Sequence, residues 1–209
     1  MTLPAVVPFK PGNPKSRLSC VLDERERSLF AGAMLRDVLA ALHGAGCDPF
    51  VMSTAPFDIA GERVVVNPAG LNESLNDVLA ITDGPLLILM SDLPLINPPV
   101  VRRLVRTKED IAIGPGRGGG TNAIFLRTAS RFRVDYYQAS FLKHLRIAAE
   151  QGLSCEVIDS FRLHTDVDEK EDLVELLIHG TGESRSYLEG LGFSLSIDKG
   201  RVGISREGK

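Results

Sequence analysis

The sequence predicts an α/β domain of the three-layer α/β/α type around a mostly parallel, mixed central sheet, and three observations carry this. Short apolar segments at 5–9, 50–53, 64–66 and 86–90 alternate with helical periodicities, the pattern of buried strands covered by helices on both faces. Two later strand candidates, 111–113 and 123–126, flank a glycine-rich loop, so an antiparallel pair is expected late in the sheet. The chain has 209 residues, 44% hydrophobic and 24% charged, the balance of a globular chain with a sizeable core.

The elements follow in order. After the strand at 5–9, the segment Lys10 to Arg17 contains Pro11, Gly12 and Pro14, which forbid regular structure and leave a basic loop on a strand end. Asp23 followed three residues later by Glu26 is a capping-box signal, and Phe30, Met34, Val38 and Leu42 recur every four residues, so a helix is predicted to about Ala45. Strands at 50–53 and 64–66, a helix at 72–81, the strand at 86–90 and a short helix at 99–105 come next. The loop 114–120 separates the late strand pair. A helix at 140–151 is expected, with Phe141, Leu145 and Ala148 on one face. A strand at 155–158 precedes a helix reaching Ile178, with Asp168 and Glu171 as its capping signal. No repeat or linker interrupts the chain, so residues 1–209 are expected to form one domain, with 193–209 a hairpin-like tail around Asp198-Lys199-Gly200.

Composition excludes several functions. A net charge of −3 argues against a general nucleic-acid binder. The most apolar run, 86–90, is far short of the ~20 residues of a membrane-spanning helix, and the N-terminus lacks the pattern of a signal peptide. A cytoplasmic protein is expected. Cys20, Cys47 and Cys155 are odd in number and far apart, which reads as free thiols.

Asp92 stands at the C-terminal end of the most apolar strand, where open α/β sheets bind ligands, and a carboxylate there suits Mg²⁺. Asp166 and Asp168 form a second acidic cluster, and alternation places them on one side of an extended segment. Asp168 has the alternative duty of a helix cap. Lys10, Lys15 and Arg17 supply the cations that a triphosphate needs. Residues 114–119 match G-x-G-x-x-G, but a strand follows instead of a helix, so a dinucleotide site is rejected. The loop is better read as a flexible cradle in which backbone amides, Arg117 and Thr121 approach an anion. Ser140 and His144 lie at the start of a predicted helix, where an anion is favoured, with a simple Ser140 cap as the alternative. There is no Walker A sequence and no G-x-S-x-G elbow.

Six motifs occur together: Val-Pro-Phe-Lys-Pro-Gly-Asn-Pro-Lys-Ser-Arg-Leu-Ser (7–19), Gly-Leu-Asn-Glu-Ser-Leu (70–75), Ser-Asp-Leu-Pro-Leu (91–95), Pro-Gly-Arg-Gly-Gly-Gly-Thr-Asn-Ala (115–123), Ser-Phe-x-x-His (140–144) and Asp-Val-Asp-Glu-x-Glu-Asp-Leu (166–173). In this order, from residue 6 to about 192, the chain resembles the archaeal 2-phospho-L-lactate guanylyltransferases. The resemblance implies a GT-A-like nucleotidyltransferase fold and a reaction of GTP with 2-phospho-L-lactate, giving lactyl-diphospho-guanosine and diphosphate in coenzyme F-420 synthesis. It implies that Pro8, Phe9, Lys10, Lys15, Arg17, Gly70, Asn72 and Asp92 meet the nucleotide, with Lys10, Lys15, Arg17 and Asp92 catalytic. Asp92, Asp166 and Asp168 would hold Mg²⁺, while Arg117, Thr121, Tyr137, Ser140 and His144 would meet the acceptor phosphate. Relatives often carry glycine where Tyr137 stands. A homodimer is expected. The rival readings are a phosphoenolpyruvate guanylyltransferase, as in bacterial relatives, a sugar-phosphate or molybdopterin-type nucleotidyltransferase, and a non-enzymatic nucleotide sensor on the same fold.

Overall fold

The computed structural model describes residues 2–198 and 200–207. The chain runs β1 (Leu3–Phe9), α1 (Glu24–Gly44), β2 (Cys47–Ser53), β3 (Arg63–Val66), α2 (Leu71–Ala80), β4 (Leu86–Leu89) and α3 (Pro98–Val105). It continues with β5 (Ile111–Pro115), β6 (Thr121–Leu126), α4 (Ser140–Glu150), β7 (Cys155–Val157), α5 (Phe161–His164), α6 (Asp172–His179), α7 (Glu183–Gly190), β8 (Phe193–Asp198) and β9 (Arg201–Arg206). Lys199, Gly208 and Lys209 of the expected tail lie outside the described residues, as does Met1.

Seven strands form one sheet in the order β3-β2-β1-β4-β6-β5-β7. β1 pairs parallel with β2 and β4, β2 with β3, and β5 with β7. β6 runs antiparallel to both β4 and β5, because the link from β5 is too short for the crossover that a parallel neighbour requires. The mixed sheet expected from the two segments around the glycine loop is therefore present. β8 and β9 form a separate antiparallel pair.

Alternation along β1 defines the layers. Ala5, Val7 and Phe9 pack with α1 on one face, while Val6 joins Phe50, Leu75 and Ile147 on the other. α1 begins with the expected capping box, in which Glu26 N donates to Asp23 Oδ1 at 2.8 Å and Asp23 N donates to Glu26 Oε2 at 2.9 Å. Phe30, Met34, Val38 and Leu42 are all fully buried, and each such side chain contributes roughly 1.5–3 kcal/mol relative to exposure. Glu26 also pairs with Arg206, whose guanidinium donates to Val21 O at 2.9 Å and fastens the terminal hairpin to the start of α1.

Four expectations need correction. The fully buried face of α4 is Ser140, His144, Ile147 and Ala148, with Ala148 inward as expected but Phe141 and Leu145 only partly buried against the same cluster, because Ser140 and His144 have polar partners inside and need not face water. Ser140 does not cap α4; the cap position is Ala139 with φ 56°, and no side chain bonds there. Asp168 does not cap α6 either. That helix starts at Asp172, whose own Oδ2 accepts the Asp168 and Glu169 amides at 3.0 and 2.8 Å. Finally, α7 was not expected. Its first amides, Glu183 N and Ser184 N, donate to Asp37 of α1 at 2.6 and 3.0 Å, a cap supplied from another helix rather than by the local sequence.

Candidate active site

The strand order reverses between β1 and β4: the chain builds outward through β2 and β3, then returns to place β4 on the other side of β1. Such a switch point opens a crevice at the carboxyl ends of the strands. The loop after β1 and the loop after β4 meet there.

Lys15 occupies the left-handed region at φ 52°, as does Asn13 at φ 44°. This loop shape is held by Arg27, which is 8% exposed. Its guanidinium donates to Pro14 O at 3.2 Å, Leu22 O at 3.4 Å and Asn13 Oδ1 at 2.8 Å. The fixed loop aims Lys15 Nζ between two carboxylates, Asp92 Oδ2 at 2.9 Å and Asp168 Oδ1 at 2.6 Å. Burial pulls the Lys15 ammonium towards neutrality, but Asp92 and then Asp168 outweigh it and hold the group above the usual lysine range. Lys15 therefore stays charged through the neutral range.

Val167 explains how the acidic segment is aimed. Its side chain is fully buried and its amide donates to Asp92 O at 3.0 Å, so the neighbours Asp166 and Asp168 project on the other side of the extended chain. Asn122 Nδ2 donates to Leu163 O at 2.9 Å and Asp166 Oδ1 at 3.4 Å. Burial raises the Asp166 carboxyl above the ordinary range, and the charge of Asp92 raises it further. The donor chemistry is thus two carboxylates on one ammonium, with the Asp166 carboxyl near enough to feel the charge of Asp92, a hard-oxygen set with negative charge in excess. Such a set fits a hard divalent cation. Among the described residues no three His, Cys, Asp or Glu side chains already stand arranged as a coordination shell.

Two cavities flank this centre. One of about 260 Å³ is lined by Lys10, Asn13, Lys15, Ser91, Asp92 and Asp168. The other, about 490 Å³ and more apolar, is lined by Pro8, Met52, Thr54, Asn67, Gly70 and Tyr137 among others. Phe9, Lys10 and Ser91 line both, so one elongated molecule can lie across them. A larger cavity of about 670 Å³ beside Arg102, Arg103, Arg106 and Lys108 shares no lining residue with either. Arg17 lies at the rim, its side chain 67% exposed and 3.3 Å from Glu169 Oε1. Asn72 lines neither cavity; its amide accepts from Tyr136 N at 2.7 Å and donates to Tyr136 O at 3.4 Å. Asn76, one turn on, grips Val134 in the same way at 2.8 and 3.1 Å.

The remaining expected residues fall into three places. Thr121, Ser140 and His144 are brought together and buried, with Ser140 Oγ 3.2 Å and His144 Nδ1 2.9 Å from Thr121 Oγ1. Arg117 is paired with Asp172 Oδ1 at 2.5 Å, which ties the glycine loop to the acidic segment. Tyr137 is 65% exposed at φ 77°, a conformation glycine adopts freely. Arg27 was not anticipated, although it stands in phase with the buried stripe at 30, 34 and 38. A charge on an apolar stripe is the signal that points to it.

The fold is shared with solved nucleotide-diphospho-sugar transferase and nucleotidyl transferase structures. The backbone matches such a protein from Desulfovibrio desulfuricans G20 with a TM-score of 0.72 at 17% identity, covering 91% of this chain and 95% of that one. A Mycobacterium tuberculosis protein solved in complex with manganese matches with a TM-score of 0.50 at 19% identity, over 85% of this chain and 99% of that one. The sequence narrows the class to one family. The family described as guanylyl transferase, CofC-like, matches residues 3–206, and the chain belongs to it. The protein of Methanoregula boonei named 2-phospho-L-lactate guanylyltransferase is 57% identical over 202 residues, 97% of this chain and 94% of its own. The Methanosphaerula palustris protein of the same name is 54% identical, over 99% of both chains.

Proposed function

We propose that this chain transfers GMP from GTP to 2-phospho-L-lactate, releasing diphosphate and forming lactyl-diphospho-guanosine for coenzyme F-420. The observation that carries the reading is Lys15 held between Asp92 and Asp168 at the β1/β4 switch point, beside an apolar cavity suited to a nucleoside. The nucleoside rests against Pro8, Phe9 and Gly70, with Asn72 acting through the segment it grips. Lys10, Lys15 and Arg17 face the triphosphate. Asp92, Asp166 and Asp168 would hold Mg²⁺, and the manganese complex of the M. tuberculosis relative supports a divalent ion in this class of fold. When bound, Mg²⁺ neutralises charge on the reacting phosphates.

The acceptor phosphate is directed to Thr121, which Ser140 orients, and to the turn at Tyr137, with Arg117 as a nearby cation. Its oxygen forms a bond to the α-phosphorus while the bond from that phosphorus to the leaving diphosphate breaks. The second ionisation of a phosphate monoester, with pKa about 6, is largely complete at neutral pH, so the nucleophile needs no general base. Catalysis then rests on aligning two anions and on fixed cations. Lys15, charged across the neutral range, supplies one of them without any proton transfer.

The test is diphosphate release with Mg²⁺ while GTP, ATP, CTP and UTP are each crossed with 2-phospho-L-lactate, phosphoenolpyruvate and glucose-1-phosphate. Release with GTP and phospholactate alone is expected. Preference for phosphoenolpyruvate would change the acceptor, and preference for the sugar phosphate would overturn the reading.

The same reading makes the protein an archaeal-type cytoplasmic homodimer. None of the described helices is long and apolar enough to cross a membrane, and the hairpin exposes Leu195, Ile197 and Val202 at 44%, 79% and 50%. Sedimentation velocity is expected to return twice the chain mass; a monomer at micromolar concentration would contradict it.

A further inference from the structure

His144 has no exposed surface, whereas Thr121 keeps 4% of its own, so His144 acts on an acceptor through Thr121, and its hydrogen bonds are directional. The backbone N–H of Asp135 donates to His144 Nε2 at 3.0 Å, which leaves that nitrogen without a proton. Burial presses the His144 pKa down to about 4, so the ring is neutral at pH 7 and its single proton sits on Nδ1. Nδ1 lies 2.9 Å from Thr121 Oγ1 and therefore donates to it. Ser140 Oγ donates to the same oxygen at 3.2 Å. A hydroxyl oxygen accepts two such bonds, so both lone pairs of Thr121 are taken and its own proton must point elsewhere. Among the described residues none accepts it. The imidazole packs against the rings of Phe132 and Tyr136, with centroids at 6.0 and 5.0 Å.

We propose that His144 is a positioning residue: locked as the Nδ1–H tautomer by the Asp135 amide, it makes the Thr121 hydroxyl an obligate donor and so tunes the site for a phosphate monoester acceptor. This rests on the reading that Thr121 meets the acceptor phosphate; the Ser140 hydroxyl proton is spent on Thr121, so Ser140 orients that donor. With the proton on Nε2 instead, Thr121 would donate inward to the ring and present lone pairs to the anion, which repels it.

Two measurements test this. The first is a long-range ¹H–¹⁵N spectrum of the free, histidine-labelled protein at pH 7. The proton is expected on Nδ1 of His144; a proton on Nε2 overturns the proposal whatever the substrate. The second compares His144→Asn, which keeps an N–H at the position of Nδ1, with His144→Gln, which can reach the Asp135 amide but loses that donor. His144→Asn is expected to keep the acceptor KM within about threefold. His144→Gln is expected to raise it about tenfold with the GTP KM unchanged, the order of one hydrogen bond to a charged group. Equal effects of the two variants, or KM values for GTP and acceptor that move together, overturn the proposal. If the wild type prefers a sugar phosphate, the functional reading fails, and the same comparison is made on the acceptor it uses.

Discussion

Replacing Asp92 with alanine is expected to lower kcat about 10²–10³-fold, the usual cost of removing one preorganised electrostatic element, while the fold persists. Asp92 ends the approach from β4 and shares Lys15 with Asp168. Its loss removes a carboxylate from the proposed cation set, yet leaves Lys15 paired with Asp168 at 2.6 Å. The contact that holds the two loops together, Val167 N to Asp92 O at 3.0 Å, uses the backbone and survives the substitution. Steady-state kinetics beside a thermal melt check both halves. A kcat near wild type would remove Asp92 from the reaction.

Lys15→Met is expected to match that loss of turnover and to add a pH-dependent instability. Asp92 and Asp168 would lose the ammonium between them. Breaking a fully buried ion pair costs about 3–5 kcal/mol, but the side chains of Asp92 and Asp168 are 28% and 39% exposed, so solvent screening reduces the cost to about 1–2 kcal/mol. The sign follows from proton binding. Asp166 already lies above the ordinary carboxyl range in the folded protein, and removing the ammonium leaves its neighbours Asp92 and Asp168 without the cation that offsets their mutual repulsion. Carboxyls that bind protons more tightly when folded destabilise the fold as pH rises past their unfolded values near 4. The variant should therefore lose most stability relative to wild type towards pH 7 and least near pH 4. Added Mg²⁺ should raise its Tm more than that of the wild type, since the ion binds the folded carboxylates. An equal Mg²⁺ effect on both proteins would argue against a cation among these side chains.

Local signals made most of the framework legible. The Asp23 and Glu26 capping box needs only four consecutive residues, and the stripe Phe30, Met34, Val38, Leu42 needs only helical periodicity. The apolar run ending before Asp92 marked a buried strand, and with it the side of the sheet that binds ligands. What stayed hidden depends on distant partners. α7 is capped by Asp37, 146 residues earlier for Glu183 N. The inward face of α4 turns on Thr121 and the Asp135 amide, which satisfy Ser140 and His144 inside the core. Asp168 had a capping pattern around it, but Asp172 takes that role and releases Asp168 to Lys15. Arg117 read as a free cation because its partner Asp172 lies 55 positions away.

The most direct test follows the reaction by ³¹P NMR, using GTP, Mg²⁺ and 2-phospho-L-lactate labelled with ¹⁸O on its non-bridging phosphate oxygens. Attack by that phosphate on the α-phosphorus places ¹⁸O in the new P–O–P bridge, shifts both product phosphorus signals and leaves the released diphosphate unlabelled. Label in the diphosphate, or a product without ¹⁸O in the bridge, would contradict direct transfer of GMP onto the acceptor phosphate.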